Sequence, residues 1–111
     1  MQAHELAQLL TERQALGRPY LEFLRVSSLS VGIYSLPAGG QDLQQPHTED
    51  EVYLVINGRA QIRVGTEDRP VAPGSVVFVA ARVPHHFHSI TEALDLLVFF
   101  APAEGANDAS R

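Results

Sequence analysis

The chain has 111 residues, 45% of them hydrophobic and none of them cysteine. That is enough to bury one core without staples, and it excludes disulfides, thiolate metal ligands and a cysteine nucleophile. The net charge of −5 sets 13 acidic residues against 8 arginines and no lysine, which excludes Schiff-base catalysis and leaves no basic block to neutralise nucleic-acid phosphates.

The N-terminal MQAHELAQLL has neither the basic nor the long apolar segment of a leader. No apolar run reaches the roughly 18 residues of a membrane span. A soluble cytoplasmic protein is the expectation. From Gln2 to Leu16 the residues Ala3, Leu6, Ala7 and Leu10 recur at helical spacing, with Leu9 and Leu16 more loosely placed, and Gly17 before Pro19 supplies a left-handed stop. Residues 1–17 are therefore expected as a helix packing its leucines over a sheet.

After Tyr20 the period changes to two. YLEFLRV, LSVGIYSL, EVYLVI, RAQIRV, RPVA, SVVFVA, HHFHSI and DLLVFF follow as some eight strand candidates, separated by Gly- and Pro-rich turns. Dense short strands without intervening helices predict an all-β antiparallel sandwich or barrel over residues 18–101. Asn57-Gly58 between EVYLVI and RAQIRV predicts a two-residue hairpin. DLLVFF is apolar enough to be buried on both faces, or to be an edge strand covered by another subunit. Residues 102–111 lack large apolar side chains and are expected to fray.

Four of the five histidines, His47, His85, His86 and His88, fall in turn-rich segments. In QQPHTEDEVYLV, Gln45, His47 and Glu51 share parity, so an extended segment kinked near Thr48 projects them to one side, and His85 need only cross from a neighbouring strand. Two imidazoles, a carboxylate and an amide oxygen suit one divalent transition metal per chain, Fe2+, Mn2+, Zn2+ or Ni2+. A hydrogen-bonded polar cluster without metal is the plainer alternative. Tyr53 shares the parity of Glu51 and points inward by the same rule, and Val55, Phe78 and Phe87 are candidate apolar walls. Glu49 and Asp50, in the kink, are expected to face solvent. Arg82 either guards the mouth or is simply solvated.

These segments resemble the two signature motifs of the cupin superfamily. Gly39, five residues, Gln45, Pro46, His47, three residues, Glu51, six residues and Gly58 keep the spacing of the first motif, with Gln45 in place of its first histidine. Gly74, Ala80, Arg82, His85 and Ser89 keep the spacing of the second, with Ala80, Arg82 and Ser89 in place of its Pro, Gly and Asn. The resemblance implies a jelly-roll or double-stranded β-helix barrel, a metal held by Gln45, His47, Glu51 and His85, and a homodimer. It also implies a small-molecule ligand in the barrel, with dioxygenase-like or isomerase-like chemistry, or else a non-catalytic binding module. His86 and His88, alternating away from His85, are left to the surface or a subunit contact.

Overall fold

The computed structural model describes residues 1–106. Among these it contains one helix, α1 (Leu6–Leu16), and six strands: β1 (Tyr20–Val26), β2 (Leu29–Leu36), β3 (Asp50–Val64), β4 (Glu67–Val71), β5 (Val76–Val79) and β6 (His85–Ala101). All pairings are antiparallel, in the order β1-β2-β6-β3-β4, with β5 added on β3. The expected all-β class with a short N-terminal helix is met, although hydrogen bonding does not close the sheet into a full barrel. No helix of the described residues is long and apolar enough to cross a membrane.

The helix ends where expected, at Gly17 with φ 74°. It begins later than the apolar spacing suggests, and Leu9 is its buried leucine, while Leu6 and Leu16 stay exposed.

Eight expected strands become six because two pairs fuse. EVYLVI and RAQIRV form one strand, β3, and HHFHSI and DLLVFF form β6. The expected hairpin at Asn57-Gly58 is therefore absent: the chain runs straight through it. Glu51, Tyr53 and Val55 are buried before this point, and Gly58, Ala60 and Ile62 after it, so the inward face switches from odd to even residues. The pairing with β6 shifts register over the same stretch, which makes Asn57-Gly58 a β-bulge rather than a turn. Gly58 has φ 96°, and a Cβ there would overlap the Ala93 carbonyl, so the bulge needs glycine for close approach as much as for conformation. The hairpin lies one step later, where Gly65-Thr66 joins β3 to β4. In β6 the same parity switch falls at Ser89, φ 51°, between buried Phe87 and buried Ile90.

DLLVFF is not an edge strand. It lies between β2 and β3, burying Leu94, Leu96, Val98 and Phe100, with Leu97 and Phe99 half-buried on the other face. The core joins these residues to Leu36, Tyr53, Val55, Ile62, Val79 and Phe87.

The expected fraying fails for the start of the tail. Ala103 is buried, its N–H donates to the Ser27 carbonyl at 3.3 Å, and the Glu104 N–H donates to the Ser30 hydroxyl at 2.9 Å. Small side chains dock here because the backbone, not apolar bulk, makes the contacts. The rest of that expectation, residues 107–111, lies outside the described residues.

Candidate metal centre

Although Glu51 lies at the start of β3 and His85 opens β6, at opposite ends of the antiparallel ladder, the fold brings His47, Glu51 and His85 together, with one ligand atom of each lying within 4.8 Å of the others. Glu51 is aimed inward by strand parity, next to Tyr53 on the same face, as expected. His85 opens β6 on the inward parity, while His86 is exposed and His88 half-exposed, bonded to the Asp68 carboxylate at 2.7 Å.

His47 comes from an irregular segment, held from several sides. Its carbonyl accepts the Arg82 N–H at 2.6 Å, which ties the two motif segments together next to His85. Its ring packs edge-on to Phe100, with centroids 4.9 Å apart, and its Nδ1 lies 3.6 Å from the Glu104 carboxylate. Upstream, buried Asp42 accepts from the Tyr34 hydroxyl at 2.7 Å, the Phe87 N–H at 2.9 Å and the Gln44 amide at 2.6 Å. Gln44 in turn accepts from the Tyr53 hydroxyl at 2.9 Å. This network fastens the loop to β2, β3 and β6.

The geometry of Glu51 and His85 is the informative feature. The His85 Nδ1 lies 2.8 Å from the Val83 carbonyl, which can only accept, so this nitrogen carries the proton. In the neutral ring Nε2 is then a bare acceptor, and it faces Glu51 Oε1 at 2.9 Å, with both side chains buried. Neither atom has a hydrogen-bond partner among the described residues. Two buried acceptors so close repel each other unless a cation lies between them. Two donors at right angles on bonds of about 2.1 Å would stand about 3 Å apart, so the pair fits a shared metal ion. A proton is the other possible occupant. Burial lowers the His85 pKa, but the Glu51 carboxylate and the Val83 carbonyl outweigh it, and the net direction is upward.

Beside these residues opens a cavity of about 180 Å³, lined by Tyr20, Tyr34, Gln44, His47, Glu51, Val98, Phe100 and Glu104. Gln45 is exposed, and its neighbour Gln44 is the glutamine lining the cavity. Parity assigns faces only on extended backbone, and residues 40–47 form no strand. Phe87 and Val55 are buried as expected. Phe78 is not a wall: it is 61% exposed, because β5 registers it against Val52 on the outer face and gives Val79 the inner position opposite Glu51. Glu49 is buried rather than solvated, accepting from the Thr48 hydroxyl, whereas Asp50 and Arg82 are exposed. Reading the sequence missed Tyr20, Tyr34, Asp42 and Glu104. A cross-strand pair of tyrosines, Tyr20 opposite Tyr34, could be anticipated from adjacent strands, but Glu104 sits in a stretch with no pattern at all.

Residues 32–101 match the cupin domain family. An uncharacterized protein of Streptomyces coelicolor is 53% identical over 104 residues, which cover 94% of this chain and 99% of that protein. The crystal structure of TT1209 from Thermus thermophilus superposes with a TM-score of 0.71 at 26% identity, covering 93% of this chain and 99% of the other. An RmlC-like cupin family protein from Methanocaldococcus jannaschii, described as a double-stranded β-helix fold, gives 0.68 at 18% identity, over 75% and 78% of the two chains. The DMSP lyase DddQ from Ruegeria pomeroyi DSS-3 gives 0.68 at 20% identity, over 87% of this chain and 51% of the lyase.

Proposed function

The chain belongs to the cupin family, and on that footing we propose that it is a metal-dependent enzyme. It would hold one divalent transition metal through His47, Glu51 and His85 and act on a small organic molecule in the adjoining cavity. The observation that carries this reading is the buried pair of acceptors, Glu51 Oε1 and His85 Nε2, facing each other at 2.9 Å. Fe2+, Mn2+, Zn2+ and Ni2+ all accept two imidazoles and a carboxylate. Three protein ligands leave positions open for substrate, as catalytic sites do. Gln45, exposed in this arrangement, is not needed for that set.

A bound divalent ion would supply Lewis-acid polarisation of a carbonyl or enol oxygen, the chemistry of an isomerase-like reaction, whereas a dioxygenase-like reaction would need Fe2+ and dioxygen. The chain's own part is to hold the ligand atoms on two strands and one pinned loop, and to exclude water with Phe100 and Val98. The likeness to the DMSP lyase, at 20% identity, supports the fold and carries no activity.

The test is metal analysis of untagged protein, then reconstitution with Fe2+, Mn2+, Zn2+ and Ni2+. One equivalent bound, and lost in His47→Ala, Glu51→Ala and His85→Ala, is the expected result. No uptake from any of the four overturns the reading. Oxygen consumption by the Fe2+ form against catechols, thiols and β-diketones then separates an enzyme from a binding module.

A further inference from the structure

Among the described residues, the cavity's polar groups other than the proposed metal ligands are engaged, with one exception. Tyr34 spends its hydroxyl proton on Asp42, and Gln44 accepts from Tyr53 while donating to Asp42. The Tyr20 hydroxyl, also in the cavity wall, is buried and has no hydrogen-bond partner among the described residues. Its position is built. Tyr20 lies across Gly32 of the neighbouring strand, and a Cβ on Gly32 would overlap the phenol ring, so the absence of that side chain is what lets the ring lie there. Tyr34, its cross-strand partner, meets it edge-on with centroids 6.3 Å apart. Burial, with Glu104 and Glu22 nearby, pushes the phenol's pKa up, which keeps it a donor.

The remaining lining separates by chemistry. Val98, Phe100 and the Tyr34 ring are apolar, and Glu51 and Glu104 are acidic. With a divalent ion on His47, Glu51 and His85, the negative charge at the inner end is offset and an oxyanion becomes acceptable there. We propose that the cavity takes a small oxyanion, a carboxylate or enolate with a flat apolar body, and that Tyr20 is the specificity-determining residue that donates a hydrogen bond to its oxygen. This rests on the metal reading above. A ligand that fills the space without accepting from Tyr20 leaves a buried donor unpaired, at a cost of roughly tenfold in affinity.

The experiment loads the full chain with Co2+, whose visible absorption reports coordination, and titrates it with benzoate, fluorobenzene and benzylamine. Benzoate is expected to bind the loaded wild type and to weaken about tenfold in Tyr20→Phe, with the Co2+ spectrum before titration unchanged. Fluorobenzene, a poor acceptor, should bind both proteins equally or favour the variant. Site-specific 3-fluorotyrosine at position 20, a stronger donor of nearly the same size, should tighten benzoate and so provides a second measurement independent of how the phenylalanine variant folds. Benzoate affinity unmoved by either change overturns this inference alone, as does binding of benzylamine in preference to benzoate. Failure to take up Co2+ overturns the metal reading and this inference with it.

Discussion

Glu51 Oε1 and His85 Nε2 lie 2.9 Å apart in the interior, reached from two adjacent strands, and neither has a hydrogen-bond donor among the described residues. A structural ion pair and a metal site both place such atoms side by side. They differ in what happens when the carboxylate becomes an amide. In Glu51→Gln the new N–H can donate to His85 Nε2, pairing two atoms that otherwise oppose each other. At a pH where the His85 ring is neutral, the metal-free variant should therefore be as stable as wild type or more so, by up to about 1 kcal/mol in urea denaturation. Its affinity for Zn2+ should fall at least about tenfold in calorimetric titration, because a charged ligand has become neutral. A loss of about 3 kcal/mol or more without metal would instead identify a structural ion pair.

Proton and metal compete for the same nitrogen, so pH acts in opposite senses on the two forms. In the metal-free protein the His85 pKa is raised above its ordinary value. The protonated ring beside Glu51 thus contributes stability that is fully present below the unfolded value of about 6.5 and is lost as pH rises through the folded pKa. In the metal-bound form the proton must leave, so apparent affinity falls as pH falls. The upward shift in Tm on adding Zn2+ should consequently grow between about pH 6 and about pH 8. A shift that is flat or shrinks over that range would mean His85 is not a ligand.

Asp42 fastens the loop that presents His47. Removing it in Asp42→Ala strands the Phe87 N–H and the Tyr34 hydroxyl and cuts the Gln44 amide loose. The expected loss is about 2–3 kcal/mol in urea denaturation, from the buried Phe87 N–H and the half-buried Tyr34 hydroxyl left unpaired. Metal affinity should fall as well, although residue 42 is no ligand, because the His47 backbone is held through the same loop. Asp50→Ala, which removes an exposed carboxylate bonded to the Ala81 N–H at 2.8 Å, should cost far less and serves as the comparison.

Parity reasoning read the site where the backbone is a strand and failed where it is not. Glu51, Tyr53 and Val55 on β3, and His85 against His86 and His88 on β6, fall on the faces that a period of two assigns. Gln45 sits in the irregular stretch before β3, where the same rule has no physical basis, and its neighbour Gln44 faces the cavity instead. Asn57-Gly58 misled for a related reason. A dipeptide that favours positive φ marks either a turn or a bulge, and the choice depends on whether β6 continues alongside, a non-local fact. Phe78 depends on cross-strand register in the same way. Asp42 and Glu104 act through contacts that reach other strands and loops, and they leave no periodic trace.

The departures from the second motif have a conformational meaning that can be tested. Arg82 stands where the family has glycine and Ser89 where it has asparagine, and these two are the non-glycine residues with positive φ among those described, at 66° and 51°. Glycine and asparagine are the residues that tolerate this region best, so the family pattern reads as backbone chemistry at these two positions. A left-handed conformation costs an ordinary residue about 1–2 kcal/mol, and glycine gives back about 0.4–1 kcal/mol through the freer unfolded chain. Arg82→Gly should therefore stabilise the protein by about 0.5–1 kcal/mol, seen as a rise of a few degrees in Tm. The Arg82 N–H that holds the His47 carbonyl survives the change, so metal affinity should be retained. Arg82→Val, with a branched Cβ in the same conformation, should destabilise and should loosen the ligand loop with it. If glycine and valine at position 82 proved equally stable, the left-handed backbone there would be wrong, and with it the account of how the loop before His85 is tied to His47.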